Sequence, residues 1–126
     1  MVKAMDPVFK KPEKKAFAGA FNYLSLFCSD KDAERYVRAL GKAKTIQRAA
    51  KDILRASGLP LLPRDNDQVA EDLVKIHTGK ALQHVLLVRG DFERGVPLII
   101  ADGYHRSCAL YYHSPDTMVP CRLVER

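Results

Sequence analysis

Cysteine is scarce in this chain and poorly spaced for shared chemistry. Cys28, Cys108 and Cys121 are odd in number and include no Cys-x-x-Cys pair, so neither a disulfide framework nor a zinc site is expected. Each sits among apolar neighbours and reads as a small buried core residue. Cys108 is the one to watch, because it follows closely on Arg106 at a predicted helix start that could stabilise its thiolate. Long apolar runs are also missing. No stretch approaches the roughly twenty apolar residues of a membrane helix, so no membrane partner is expected. The first residues, Met1-Val2-Lys3-Ala4-Met5-Asp6-Pro7, lack a basic segment followed by an apolar one, which argues against a signal peptide and for a cytoplasmic address. No internal repeat appears, and no low-complexity segment beyond a lysine-rich start, which excludes solenoid and fibrous architectures.

What remains is an ordinary globular composition, 47% apolar and 29% charged over 126 residues, enough for one domain with a modest core. The net charge of +6 is unevenly distributed, with 13 Lys and Arg against 6 Asp and Glu in residues 1–60 and 8 against 9 in residues 61–126. A basic first half of this kind suits a polyanion such as DNA or RNA, and is also common on freely solvated surfaces.

Residues 1–15, with Lys10, Lys11, Lys14 and Lys15 around Pro12, read as a mobile basic tail. Residues 16–58 read as a helical portion. Phe17, Phe21, Leu24 and Phe27 or Cys28 recur at helical spacing, and Ser29-Asp30 caps a second helix from Lys31 to Leu40 that Gly41 should stop. A third helix is expected from Thr45 to Ala56, closed by Gly58. Ile46, Ala49, Ala50, Ile53 and Leu54 form its apolar stripe, and Lys44, Arg48, Lys51 and Arg55 form a basic ridge that could track nucleic-acid phosphates or simply face solvent. No aromatic residue interleaves with those cations, which disfavours stacking on single strands.

Beyond Gly58, Leu59-Pro60-Leu61-Leu62-Pro63 must be extended. The pattern then predicts a helix over Gln68 to Ile76, with His77 complementing the dipole at its end, a strand over His84 to Arg89, a hairpin loop at Gly90 to Gly95, a partner strand over Val96 to Ala101, a helix over Tyr104 to Tyr112 and a last strand over Met118 to Val124. Residues 16–126 are expected to form one compact α/β unit, a small mixed sheet with helices packed on it.

The chemistry concentrates at one corner. A leucine- and isoleucine-rich strand stops at Asp102-Gly103, and a helix begins with Tyr104-His105-Arg106-Ser107. Free N–H groups and the positive end of the helix dipole gather at such a start and favour an anion such as phosphate. Gly103, His105, Arg106 and Ser107 are therefore the candidate phosphate contacts. Asp102 and His105 are the candidate catalytic groups, since a carboxylate can bind Mg²⁺ or orient water and a histidine can move a proton near neutral pH. The plainer alternative is that Asp102 caps a turn and the other side chains are solvated.

The order of elements around this corner, with strand Val85 to Val88, Gly103-x-His105-Arg106 and a final Val119-Pro120-Cys121-Arg122-Leu123-Val124, resembles the ParB/sulfiredoxin superfamily over roughly residues 59–126. That resemblance implies a nucleotide held by its phosphates at Gly103, His105 and Arg106, with Asp102 flanking the reacting phosphate. Sulfiredoxins carry their nucleophilic cysteine where this chain has Tyr104, so their reductase activity is not expected. ParB clamps continue into a helix-turn-helix region, whereas this sequence stops at Arg126, so centromere binding is not expected either.

Three functional expectations follow. The leading one is a nucleotide-binding protein that takes a nucleoside triphosphate with Mg²⁺ and hydrolyses or transfers phosphate, any second metal ligand coming from Asp65, Glu71 or Asp72. The alternatives are a nucleic-acid binder or nuclease that uses the basic ridge, and a noncatalytic interaction module.

Overall fold

A computed structural model describes residues 6–126, and five of the fifteen tail residues lie outside it. The centre of the fold is β4 (Val85–Val88), in which all four side chains are buried. It runs parallel to β6 (Met118–Val124) and antiparallel to β5 (Ile99–Asp102), and β2 (Ile46–Ala49) adds to the far edge of β6, giving a mixed sheet in the order β2-β6-β4-β5. A strand buried on both faces reads as a continuous apolar run, and Val85-Leu86-Leu87-Val88 is one.

Helices cover both faces. Leu86 and Val88 pack with Ala16, Ala20, Leu24, Ala33 and Leu40 from α1 (Lys14–Leu24) and α2 (Asp30–Lys42). Val85 and Leu87 pack on the opposite side with Ile53, Val69, Ile76 and Leu110 from α3 (Ala50–Ser57), α4 (Asp67–His77) and α5 (Tyr104–His113). Local signals set several ends: Ser29 Oγ accepts from the Asp32 N–H at 3.2 Å and Asn66 Oδ1 accepts from Gln68 and Val69, the standard satisfaction of first-turn donors. Gly58 ends α3 in the left-handed conformation. Gly41, in contrast, lies inside α2, which runs on to Lys42. No described helix is long and apolar enough to cross a membrane.

Two expectations fail for one reason. The helix expected over Thr45 to Ala56 is split: Ile46 pairs with Cys121 and Ala49 with Met118, and the helix begins only at Ala50, whose N–H goes to Thr117 O. The exposed edge of β6 offers a full ladder to these residues, and tertiary pairing outweighs a local periodicity that fits a helix equally well. The basic tail is likewise not loose over the residues described. Val8–Lys10 forms β1, parallel to β3 (Ala81–Gln83), with Phe9 against the core, the His84 N–H on Lys10 O and the Glu13 N–H on Gln83 Oε1.

Candidate functional site

Strand β5 turns into α5 through Gly103, at φ 110° and ψ 21°. Only glycine adopts this readily, and space demands it too: a Cβ there would stand 2.9 Å from both Val85 Cγ2 and Arg106 Nη2. The first bond of the helix runs from the Ser107 N–H to Gly103 O. Gly103 has no side chain to cap the helix, which leaves the first-turn N–H groups open to a ligand.

Arg106 folds back beneath this turn. Its Nε donates to Gln83 O at 3.0 Å, and its Nη2 donates to His84 O at 3.2 Å and to Asp102 Oδ2 at 2.7 Å. Both side chains of the Asp102–Arg106 pair are largely buried, 22% and 17% exposed. Asp102 Oδ1 faces Gly19 of α1 so closely that a Cβ there would come within 2.9 Å. Two glycines therefore make room for one ion pair. Asp102 is thus bonded to a cation, and a Mg²⁺ ion at that carboxylate would have to share it with Arg106. Among the described residues no group of three or more His, Cys, Asp or Glu side chains gathers at a point suited to a metal.

A cleft of about 290 Å³ opens at this helix start. Asp102, Gly103, His105 and Arg106 line one side of it, so four of the five corner residues singled out in the sequence do converge. The fifth does not: Ser107 is fully buried, its hydroxyl donating to Gly103 O at 2.8 Å, and it cannot meet a ligand in the cleft. Lys10, Lys15 and Lys75 line the other sides, together with Gln68, Gln83 and Asp72. Lys10 is bridged to Glu13 at 2.6 Å, and Lys15 has no ion-pair partner among the described residues.

Asp72 is the unusual member. It is 6% exposed and accepts no hydrogen bond among the described residues, its nearest cation being Lys75 Nζ at 4.0 Å, too far for one. Burial pushes its carboxyl above the usual range, against the pull of Lys75, Arg106 and His105 and with a small push from Glu71. Glu71 and Asp65, the other carboxylates weighed beside it, lie outside the cleft.

The basic ridge is not a helix face. Lys44 precedes β2, Arg48 lies on it and only Lys51 and Arg55 share α3. Lys51 is bridged to Asp116 at 2.6 Å and Arg55 to Asp52 at 3.5 Å, and Arg48 Nη1 donates to Gln47 O. The expected row of four cations along one helix face is absent. Cys108 is fully buried, and desolvation raises its thiol, only partly offset by a hydrogen bond with the Leu62 backbone. The expectation of a stabilised thiolate there fails.

Sequence reasoning missed Lys10, Lys15, Lys75, Gln68 and Gln83. The available signal was Phe9, an aromatic residue inside the supposed tail that packs against the core and so brings the neighbouring Lys10 to the cleft, whereas Val8 beside it stays exposed. No family model, curated protein or solved structure matches this chain.

Proposed function

We propose that the protein binds a phosphate-bearing ligand, a nucleoside triphosphate foremost, at the start of α5. The observation that carries this reading is the convergence of Lys10, Lys15, Lys75 and Arg106 on a cleft whose floor is an uncapped helix start. Backbone donors and the dipole favour an anion at that end, and the lysines add mobile charge around it. The resemblance of Gly103-x-His105-Arg106 to the ParB/sulfiredoxin corner supports a nucleotide as the source of the phosphate. Within the cleft the roles divide by bonding. Arg106, already holding Asp102, shapes the floor, Lys15 and Lys75 reach phosphate oxygens, and His105, which makes no side-chain hydrogen bond among the described residues, is the group placed to exchange a proton with the ligand. Mg²⁺ arriving with a triphosphate would find Asp72 as the one lining carboxylate that accepts no hydrogen bond from a described residue.

Two charge-assisted contacts of about 2 kcal/mol each with a helix-terminus term of ~0.5 kcal/mol correspond to a Kd near 0.5 mM. At ten times that concentration the ligand adds about 1.4 kcal/mol to stability, a shift of roughly 5 °C in Tm for a domain of this size. Thermal melts with ATP, CTP, GTP and inorganic phosphate test this, with Lys15→Ala and Lys75→Ala each expected to remove at least half the shift. Identical melts with and without each ligand refute the reading. Phosphate release measured beside them, with and without Mg²⁺ and in His105→Ala, decides between an enzyme and a noncatalytic binder.

A further inference from the structure

Asp72 has no evident part in holding phosphate, since a carboxylate repels it. Its position nonetheless has a cost: the side chain is 9% exposed, lines the cleft and receives no hydrogen bond from any described residue, so its oxygens open only onto the cleft, although a carboxylate has up to four acceptor positions to satisfy. It lies on α4, across from the helix start, so a ligand whose phosphate is held there presents its remaining groups toward it. A ligand that fills the cleft displaces solvent from that carboxylate and has to supply a donor in its place. Four cations and two carboxylates line the cleft, and that excess of positive charge disfavours an ammonium group and leaves a neutral hydroxyl as the donor. We infer that the cleft selects a hydroxyl-bearing phosphate ester, with Asp72 accepting the hydrogen bond of the hydroxyl while the α5 start and the lysines hold the phosphate. This rests on the phosphate reading above and makes Asp72 a specificity-determining residue.

Three small probes sharing a phosphate end test it by NMR titration in EDTA: ethyl phosphate without a donor, glycerol 3-phosphate with hydroxyls, and phosphoethanolamine with an ammonium group. Wild type is expected to bind glycerol 3-phosphate about tenfold more tightly than ethyl phosphate, the scale of one hydrogen bond to a charged group. Asp72→Ala should erase that preference and leave ethyl phosphate bound as well as before or better. Asp72→Asn, which keeps the shape and removes the buried charge, should raise the melting temperature of the free protein, as expected of a residue kept for a ligand at a cost in stability. Equal binding of ethyl phosphate and glycerol 3-phosphate by wild type overturns the inference and leaves the phosphate site standing, whereas binding of none of the three overturns both. Tightest binding of phosphoethanolamine, a preference that appears only when Mg²⁺ replaces EDTA, or a lower melting temperature in Asp72→Asn each overturns the role assigned to Asp72.

Discussion

Removal of Arg106 should unfold the corner before it tells anything about phosphate. Its guanidinium makes three hydrogen bonds, to Gln83 O, His84 O and Asp102 Oδ2, and Arg106→Ala leaves one carboxylate and two carbonyls without a donor. Breaking a fully buried ion pair costs about 3–5 kcal/mol, mostly because the surviving charge is stranded. Here the partners are 17% and 22% exposed and border a cleft open to water, so the loss should be about 2–3 kcal/mol, a fall in Tm of roughly 8–12 °C. Urea unfolding of wild type, Arg106→Ala, Asp102→Asn and the double variant measures it, with an unchanged m-value as the check that the transition stays two-state. The cycle should return a coupling of about 1.5 kcal/mol, because Asp102→Asn alone strands no charge on the carboxylate side and the double variant escapes part of the Arg106→Ala penalty. A coupling under ~0.5 kcal/mol would show that the pair is as weak as an exposed one and would refute the reasoning. Arg106→Lys should recover less than half of the loss, since an ammonium group cannot reproduce the planar fork.

Gly103→Ala should cost about 2–3 kcal/mol, because the alanine meets both a positive φ and atoms at 2.9 Å, whereas Gly58→Ala, with φ +68° and open space around it, should cost only ~1 kcal/mol; equal melting temperatures for the two would contradict the crowding at Gly103. The Asp72 carboxyl is raised in the folded protein, so the native state holds that proton more tightly than the unfolded chain, and stability drains away as pH rises from the ordinary carboxylate range through the raised value. The stability gain of Asp72→Asn should therefore be absent near pH 3 and full by neutral pH, and a gain that shrinks with rising pH has the wrong sign for this account. Cys108 and Cys121 are fully buried, and burial lifts the Cys121 thiol to about 11, so a thiol reagent should label Cys28 alone in native protein at pH 8 and all three cysteines in denaturant.

How far the sequence carried the fold depended on where each element finds its partner. The last strand is read to the residue and α5 to within one, because the Ser114-Pro115-Asp116 turn before the strand and the Gly103 start of the helix are local signals. Ser29 and Gly58 are equally local. The three missed strands, Val8–Lys10, Ile46–Ala49 and Ala81–Gln83, are three or four residues long, and the pairings that make them, Val8–Lys10 with Ala81–Gln83 and Ile46–Ala49 with Met118–Cys121, join residues more than 60 positions apart. Nothing within ten residues of Ile46 says that an open strand edge awaits it, and its spacing from Ala49, Ala50 and Ile53 favours a helix. The same distance hides half of the cleft. Asp102 to Arg106 could be read as a corner from consecutive residues, whereas Lys10, Lys15, Gln68, Asp72 and Lys75 reach it only through β1, α1 and α4, and Ser107 turns inward because its hydroxyl finds Gly103 O one turn back.

The cost of that arrangement argues for its use. Much of the chain follows local preference, with Ser29 and Asn66 capping their helices, an apolar strand at the centre and exposed charges in short ion pairs. The exceptions away from the cleft are β2, which replaces a helical pattern, and the buried Thr117 Oγ1 and Arg122 Nε, which have no partner among the described residues. Around the cleft four departures coincide. Gly103 holds a positive φ against Val85, Gly19 weakens the middle of α1 to admit Asp102, a largely buried ion pair replaces apolar packing, and the largely buried Asp72 carboxylate opens only onto the cleft. Each is worth roughly 1–3 kcal/mol against folding or in foregone stability. For a domain whose whole margin is about 5–15 kcal/mol, four such departures at scattered positions would be hard to sustain, and their meeting at one cleft is the pattern expected where local consistency has yielded to a ligand. Filling Gly19 is the direct trial of this argument. Gly19→Ala improves helix propensity by ~1 kcal/mol but presses on Asp102 Oδ1 at 2.9 Å, so in wild type it should destabilise, and in Asp102→Ala, where the clash is gone, it should stabilise by about that propensity gain. The same sign in both backgrounds would mean that Gly19 is not there for Asp102.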